Sequence, residues 1–317
     1  MSSPVEIPGP WQHAYVAANG ARFHVATLGS GPEGSGADRP AVVLLHGFPQ
    51  FWWAWRHQMA ALADAGHRVV AMDLRGYGGS DKTPRGYDPF TLAGDVAGVV
   101  KALGLPKAAL VGHGWGGYVA WAAAVLHQPQ VASVATVAAP HPRWMLRSMW
   151  GSLRPGHGVK ALGHVLAMQL PWVPERRLRS PASGYLAGHL SAWAAPGSAF
   201  PSGEEVKTYQ AALAQWPSPH CALEFHRWLF RSRIRDDGRR FNAAMRSPVQ
   251  VPSYTIFGGA DPALPDPHKD RSGRYVAAEH RTSILDGVGH FAPEEAPDRV
   301  SALLVDWLGR PLGRRER

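Results

Sequence analysis

Short apolar runs alternating with helix-like stretches constrain this chain more than any other feature. Ala41-Val42-Val43-Leu44-Leu45 offers water no polar face, so as a strand it must be covered on both sides. Val69 to Met72, Ala108 to Val111 and Val131 to Val137 read as further strands. Trp52 to Ala65, Phe90 to Leu103 and Gly116 to His127 read as the helices between them. Such alternation predicts a parallel sheet flanked by helices. Ahead of it, His13 to Ala18 and Arg22 to Thr27 straddle Asn19-Gly20, a hairpin signal, and a polar Gly/Ser loop fills Gly29 to Pro40.

The alternation stops near Pro140 and resumes only after Arg246, with Tyr254 to Phe257, Thr282 to Leu285 and a closing helix over Ala296 to Leu308. Residues 1–139 and 247–317 are therefore expected to form one α/β core. Residues 140–246 are expected to form a mainly helical cap inserted where loops leave the carboxyl ends of the strands, the place where such sheets bind ligands.

Composition narrows the function classes. Only 18% of the 317 residues are charged, below the usual share of about a quarter, so an unusually large fraction is free to be buried. Cys221 is the single cysteine, which leaves no disulfide and no CxxC pair, and neither metal ion nor cofactor is expected. The start, MSSPVEIPGPW, lacks the basic and apolar regions of a signal peptide, and no apolar run reaches the ~20 residues of a membrane span. A cytoplasmic protein without a membrane partner, monomer or homodimer, is the expectation. The net charge of +9 comes from scattered arginines, such as Arg176, Arg177 and Arg179, Arg231 to Arg240, and the tail after Gly309. No RNP, zinc-finger or helix-turn-helix pattern accompanies them, so a nucleic-acid partner is not expected.

The chemistry concentrates in Leu110-Val111-Gly112-His113-Gly114-Trp115-Gly116-Gly117, a strand running into a helix. Gly112, Gly114 and Gly117 satisfy GxGxxG, the dinucleotide-binding pattern. Against that stand two earlier strand–helix units, the absence of an acid between Val131 and Pro140, and a bulky Trp within the turn. The same residues also satisfy Gly-x-nucleophile-x-Gly, the sharp turn that thrusts its central side chain into a pocket above a helix N-terminus. His46-Gly47-Phe48-Pro49, Asp73-Leu74-Arg75-Gly76-Tyr77-Gly78-Gly79-Ser80, Gly258-Gly259-Ala260-Asp261 and Gly287-Val288-Gly289-His290-Phe291 each follow a strand. Nucleophile, acid, then histidine is the chain order of one large group of hydrolases.

The segments HGFPQFWWAW, DLRGYGGSDK and GHGWGG, together with the acid and histidine loops, resemble the α/β-hydrolase superfamily, and within it the epoxide-hydrolase and haloalkane-dehalogenase branch. The resemblance spans essentially the whole chain and is weakest in the cap. It implies that Asp261 orients His290, that His290 activates water, and that the Phe48 and Trp115 amides form an oxyanion hole. Two departures stand out. Gly114 occupies the position of the nucleophile and has no side chain with which to attack. His226 stands where the branch carries a proton-donating cap tyrosine, while Tyr185 or Tyr209 remains a candidate for the second.

The resemblance thus implies a hydrolase-type site for a small apolar molecule, in which Gly114 supplies no side chain for covalent catalysis. A catalytically silent ligand-binding protein and a His–Asp general-base enzyme (lyase or isomerase) remain alternatives. Asp266 competes with Asp261 for the acid role, being in the same loop. His113 is expected to pack beside the sheet, His46 to be structural, Cys221 to fill the cap, and Trp52, Trp53, Trp55 and Trp115 to line a pocket or fill the core.

Overall fold

The computed structural model describes residues 3–29, 39–151, 159–263 and 266–310. Most of the Gly29–Pro40 loop and the tail beyond Arg310 lie outside the described residues. The eight strands are β1 (Gln12–Ala18), β2 (Ala21–Leu28), β3 (Ala41–Leu45), β4 (Val69–Met72), β5 (Ala108–His113), β6 (Val131–Val137), β7 (Ser253–Gly258) and β8 (His280–Leu285). They form one sheet in the order β1-β2-β4-β3-β5-β6-β7-β8. The Asn19-Gly20 hairpin pairs β1 with β2 antiparallel, and β2 joins β4 antiparallel. Every later pairing is parallel, so the carboxyl ends of β3, β5, β6, β7 and β8 converge on one edge.

Burial explains the pattern: every residue of β3, β4 and β5 is buried, as a strand covered on both faces requires. Between the strands lie α1 (Arg56–Asp64), α2 (Pro89–Ala102) and α3 (Trp115–Leu126). Asp88 caps α2 by accepting from the Phe90 and Thr91 amides, with Pro89 in the first turn. The helix expected over Trp52 to Ala65 begins instead as a 3₁₀ turn, Trp52–Trp55, before α1. Its first amide, Trp52 N–H, donates to Asp73 Oδ1 at 2.8 Å, which ties the turn to the loop after β4. Trp52 and Trp55 are wholly buried core residues, and Trp53 lies beneath the Arg56 guanidinium at 3.8 Å.

Seven helices separate β6 from β7: α4 (Pro142–Gly151), α5 (Val159–Ala167), α6 (Val173–Arg179), α7 (Tyr185–Trp193), α8 (Gly203–Leu213), α9 (Ser218–Arg231) and α10 (Asp236–Ala244). No strand interrupts them among the described residues. After β8 come α11 (Ala292–Glu295) and α12 (Pro297–Leu308), the latter packed on α1.

A buried polar cluster ties the insertion to the core. Arg56 reaches Glu205 of α8 at 2.7 Å and Glu294 of α11 at 2.6 Å. Tyr209 donates to Glu294, and Gln50 donates to both at 3.2 Å. Burial pushes the Glu294 carboxyl up, with Arg56 pulling the other way. Within the insertion, Arg227 pairs with Glu175 at 2.7 Å, both nearly buried.

Candidate active site

The glycines between β5 and α3 are glycine for two different reasons. A Cβ on Gly112 would meet the Gly116 carbonyl carbon at 2.4 Å, one on Gly116 the Leu45 oxygen at 2.1 Å, and one on Gly117 the Ala139 Cβ at 2.4 Å. Those three let strand and helix approach closely. Gly114 is the exception: its nearest neighbours would be His290 Nε2 at 3.6 Å and Gly47 Cα at 3.7 Å, ordinary contacts. What marks Gly114 is its backbone, with φ +51° and ψ −115°, a region any L side chain enters only with strain. The turn is therefore a sharp strand-to-helix bend whose apex has room for a side chain in contact with a histidine. The dinucleotide alternative is set aside, because β5 is the fifth strand of the chain and not the first.

That histidine is held from several sides. His290 Nδ1 donates to Asp261 Oδ2 at 2.9 Å, and Asp261 Oδ1 accepts the Ala263 amide at 2.7 Å. With Nδ1 carrying the proton, Nε2 presents its lone pair toward Gly114. Asp266 is excluded as the partner, since it caps His268 N and pairs with Lys269 at 3.1 Å. The His290 amide donates to Trp193 O at 2.9 Å, and its ring stands edge-on to Trp193. Glu295 takes the Gly289 and Phe291 amides at 3.0 and 2.9 Å, and the Ala195 amide just beyond α7 at 2.7 Å. A Cβ on Gly289 would strike the Ala195 nitrogen at 2.4 Å, so this glycine permits the tight seating of the loop.

His113 lies directly behind. Its Nε2 donates to His290 O at 2.9 Å, and burial pushes it down to about 3, with His290 adding to the shift. A neutral, buried imidazole so anchored packs beside the sheet and is no substitute nucleophile. His46 is likewise a brace, its Nε2 accepting the Leu74 amide at 3.1 Å.

Gly114 and His290 open into a mostly apolar cavity of about 120 Å³ between the sheet edge and the helical insertion. That approaches the roughly 150 Å³ in which an apolar engineered cavity accommodates benzene. Phe48, Trp115 and His226 line it too, while Asp261 sits behind His290 and off the wall. Trp115 is the first residue of α3, so its N–H has no acceptor within the helix.

Tyr185 and Tyr209 do not reach the cavity, a correction to the sequence expectation. Tyr209 belongs to the Glu294 cluster at the contact between insertion and core, wedged by Phe51 and Trp53. Tyr185 stacks on His189 and stands one layer behind it. Cys221 is buried within α9, where its Cβ abuts Gly76.

The cavity residues that sequence reading missed include His164, His189, Trp193 and Tyr118. No motif links His164 to His226, 62 residues apart, yet their Nε2 atoms lie at 3.3 Å. Their proton positions follow from their partners. The Trp115 indole N–H can only donate, and it points at His226 Nε2 from 3.0 Å. His226 Nε2 is thus an acceptor, its proton sits on Nδ1 toward Ala222 O at 3.3 Å, and His164 must carry its proton on Nε2. Burial holds both neutral, pushing His164 down to about 4 and His226 well below the ordinary value. The wall formed by the insertion therefore carries one neutral imidazole as donor and one as acceptor, each already engaged.

Among the described residues, no His, Cys, Asp and Glu group is arranged to hold a metal ion, and no helix is long and apolar enough to cross a membrane. A family profile described as the alpha/beta hydrolase fold matches residues 40–297. Epoxide hydrolase A of Mycobacterium tuberculosis is 31% identical, covering 92% of this chain and 96% of that protein. The AB hydrolase superfamily protein YfhM of Bacillus subtilis is 32% identical over 93% of this chain and 96% of its own. The crystal structure of epoxide hydrolase A from Mycobacterium thermoresistibile superposes with a TM-score of 0.77 at 26% identity, covering 96% of this chain and 100% of that one. This chain belongs to the α/β-hydrolase family, among relatives that are epoxide-hydrolase-like.

Proposed function

We propose that the helical insertion caps a small-molecule site in which His290, oriented by Asp261, acts as a general base without a covalent intermediate. The observation that carries this reading is the space at Gly114, whose missing Cβ would lie 3.6 Å from His290 Nε2. A water held there lies within reach of the imidazole lone pair. In the reaction, Nε2 takes a proton from water as its oxygen bonds to the electrophilic carbon of a small apolar substrate. The departing oxygen then recovers that proton from the imidazolium, which the Asp261 carboxylate stabilises in the interval. Phe48 and Trp115 border the same space, and their amides would meet negative charge developing on a substrate oxygen. Alkylation or acylation of the protein is no part of the cycle, since glycine offers no attacking atom.

The imidazoles on the cap side are neutral and already engaged, so they offer an epoxide ring oxygen no free acid, which favours esters and other carbonyl compounds. A panel of epoxides, esters and haloalkanes run against wild type, His290→Ala and Gly114→Asp tests this. Turnover of an ester by wild type and its loss in His290→Ala is the expected result. Activity confined to Gly114→Asp would sink the base mechanism. That outcome would favour the second reading, a silent binding protein, which the φ of +51° at Gly114 supports: glycine relieves strain that a nucleophile would impose.

A further inference from the structure

Three consecutive amides run through the histidine loop, and each has an acceptor. Those of Gly289 and Phe291 donate to one side chain, Glu295, at 3.0 and 2.9 Å, while the His290 amide donates to Trp193 O at 2.9 Å. Glu295 also accepts the Ala195 amide at 2.7 Å, so a single carboxylate joins the histidine loop to the insertion. Trp193 and Ala195 flank the buried Ala194, and the insertion therefore meets the loop along one short stretch, 193–195. The His290 carbonyl accepts from His113 Nε2 at 2.9 Å. The backbone of His290 is thus committed at both ends. Local sequence places the carboxylate: Glu295 ends α11, its N–H donates to Phe291 O at 2.9 Å, and its Oε1 takes the Phe291 amide in return. The neighbouring Glu294 bonds Arg56 and Tyr209 instead. Glycine at 289 belongs to the same seat, since a Cβ there would lie 2.4 Å from the Ala195 nitrogen and 2.8 Å from Glu295 Oε1.

We propose that Glu295 is a positioning residue: by gathering the amides on both sides of His290 and the Ala195 amide of the insertion, it sets the direction of the imidazole and makes that direction depend on a seated cap. A carboxylate offers acceptors only, and its bonds to N–H donors are roughly twice as strong as neutral ones. Three such bonds fix the backbone around residue 290, and with it the line along which the side chain leaves. The ring then meets Asp261 Oδ2 through Nδ1 at 2.9 Å and turns Nε2 toward Gly114. Glu295 does not itself line the cavity, so it acts through His290. The corner of the insertion at 193–195 becomes a fixed post, unable to lift without drawing His290 off Asp261. The proposal rests on reading His290 and Asp261 as the working pair, and not on which substrate is turned over.

Long-range nitrogen–proton NMR spectra of histidine-labelled protein report the tautomer of each ring, and the His290 signals are those missing from His290→Ala. Wild type should show His290 wholly as the Nδ1–H tautomer. Glu295→Gln keeps the shape but turns one acceptor into an NH₂ donor facing an amide, so His290 should divide between the two tautomers. Gly289→Ala pries the same seat apart without altering the carboxylate, and should do likewise. On any panel substrate that wild type turns over, Glu295→Gln should lower kcat about 10²-fold with KM nearly unchanged, because the cavity walls are intact. A pure Nδ1–H tautomer in Glu295→Gln overturns the proposal, whatever its melting temperature, since Glu295 would then merely brace the loop. So does a wild type that lacks this tautomer. Should Glu295→Gln fail to fold, Gly289→Ala decides by the same reading, and failure of both to fold overturns the proposal too, because the seat would then hold up the chain and not the ring. A tautomer that depends on Glu295 without turnover of any panel substrate leaves the positioning role standing and removes the base mechanism. Turnover with a tautomer indifferent to Glu295 does the reverse.

Discussion

The two walls of the cavity treat histidine in opposite ways. On the sheet side, His290 has a carboxylate on Nδ1, while its Nε2 faces Gly114 at the cavity wall. On the insertion side, His164 and His226 face each other and an indole, with no carboxylate beside them among the described residues, and burial keeps them neutral. The difference teaches that burial alone holds an imidazole neutral. An adjacent carboxylate instead fixes the tautomer, which leaves the far nitrogen of His290 as a free acceptor.

The largest test of that contrast is Asp261→Asn. If the carboxylate makes the base, turnover of whichever panel substrate wild type accepts should fall about 10³- to 10⁴-fold, with folding intact. A drop below tenfold would mean that His290 works without its partner and the two walls differ less than their geometry suggests.

The next test sets backbone against backbone. Gly116→Ala would drive a methyl to 2.1 Å from the Leu45 oxygen, between two elements with nowhere to move. It should destabilise the protein by about 3 kcal/mol in denaturant unfolding. On the insertion side, His226→Leu would strand the Trp115 N–H and the proton of His164, a loss of about 1–3 kcal/mol by the same measurement.

Acid should reveal the neutral histidines collectively. Above pH about 6.5 they are uncharged in both folded and unfolded chains, and their contribution to stability is complete. Below that, the unfolded chain takes up protons that His164 refuses until about pH 4 and His113 until about pH 3. Melting temperature should therefore fall steadily as pH drops from about 6.5 toward 4, and His164→Gln should flatten part of that slope. A flat profile in wild type would show that these rings are wetter than their burial implies.

The smallest expected effect lies in the insertion. Gly188 sits exposed within α7, and a Cβ there would meet nothing within 4 Å. Gly188→Ala should add roughly 0.5–1 kcal/mol through helix propensity. A glycine in the core turn and a glycine in an insertion helix thus carry opposite signs under the same substitution.

Much of the fold was legible because its elements are local and periodic. The runs at β3, β4 and β5 declare strands buried on both faces, and the glycine spacing from 112 to 117 declares a close strand–helix approach. The pairing of His290 with Asp261 was legible by chain order, since each follows a strand of the same sheet edge. Tyr185 and Tyr209 misled because a tyrosine in an amphipathic helix carries no local sign of which neighbour its hydroxyl will find. One proved to serve the contact with Glu294, the other to back His189.

The sequence by itself determined the sheet, the interrupted core and the absence of a side chain at the elbow, because each depends on residues close in the chain or on identity alone. Only the tertiary structure decided what the cavity is made of. His164, His189 and His226 stand on three helices, and Tyr118 on a fourth, so their meeting is a product of helix packing and not of spacing. Whether the space at Gly114 faces a base, solvent or backbone was likewise a three-dimensional matter. It faces the His290 imidazole because the loops after β5, β7 and β8 leave the same edge of a parallel sheet.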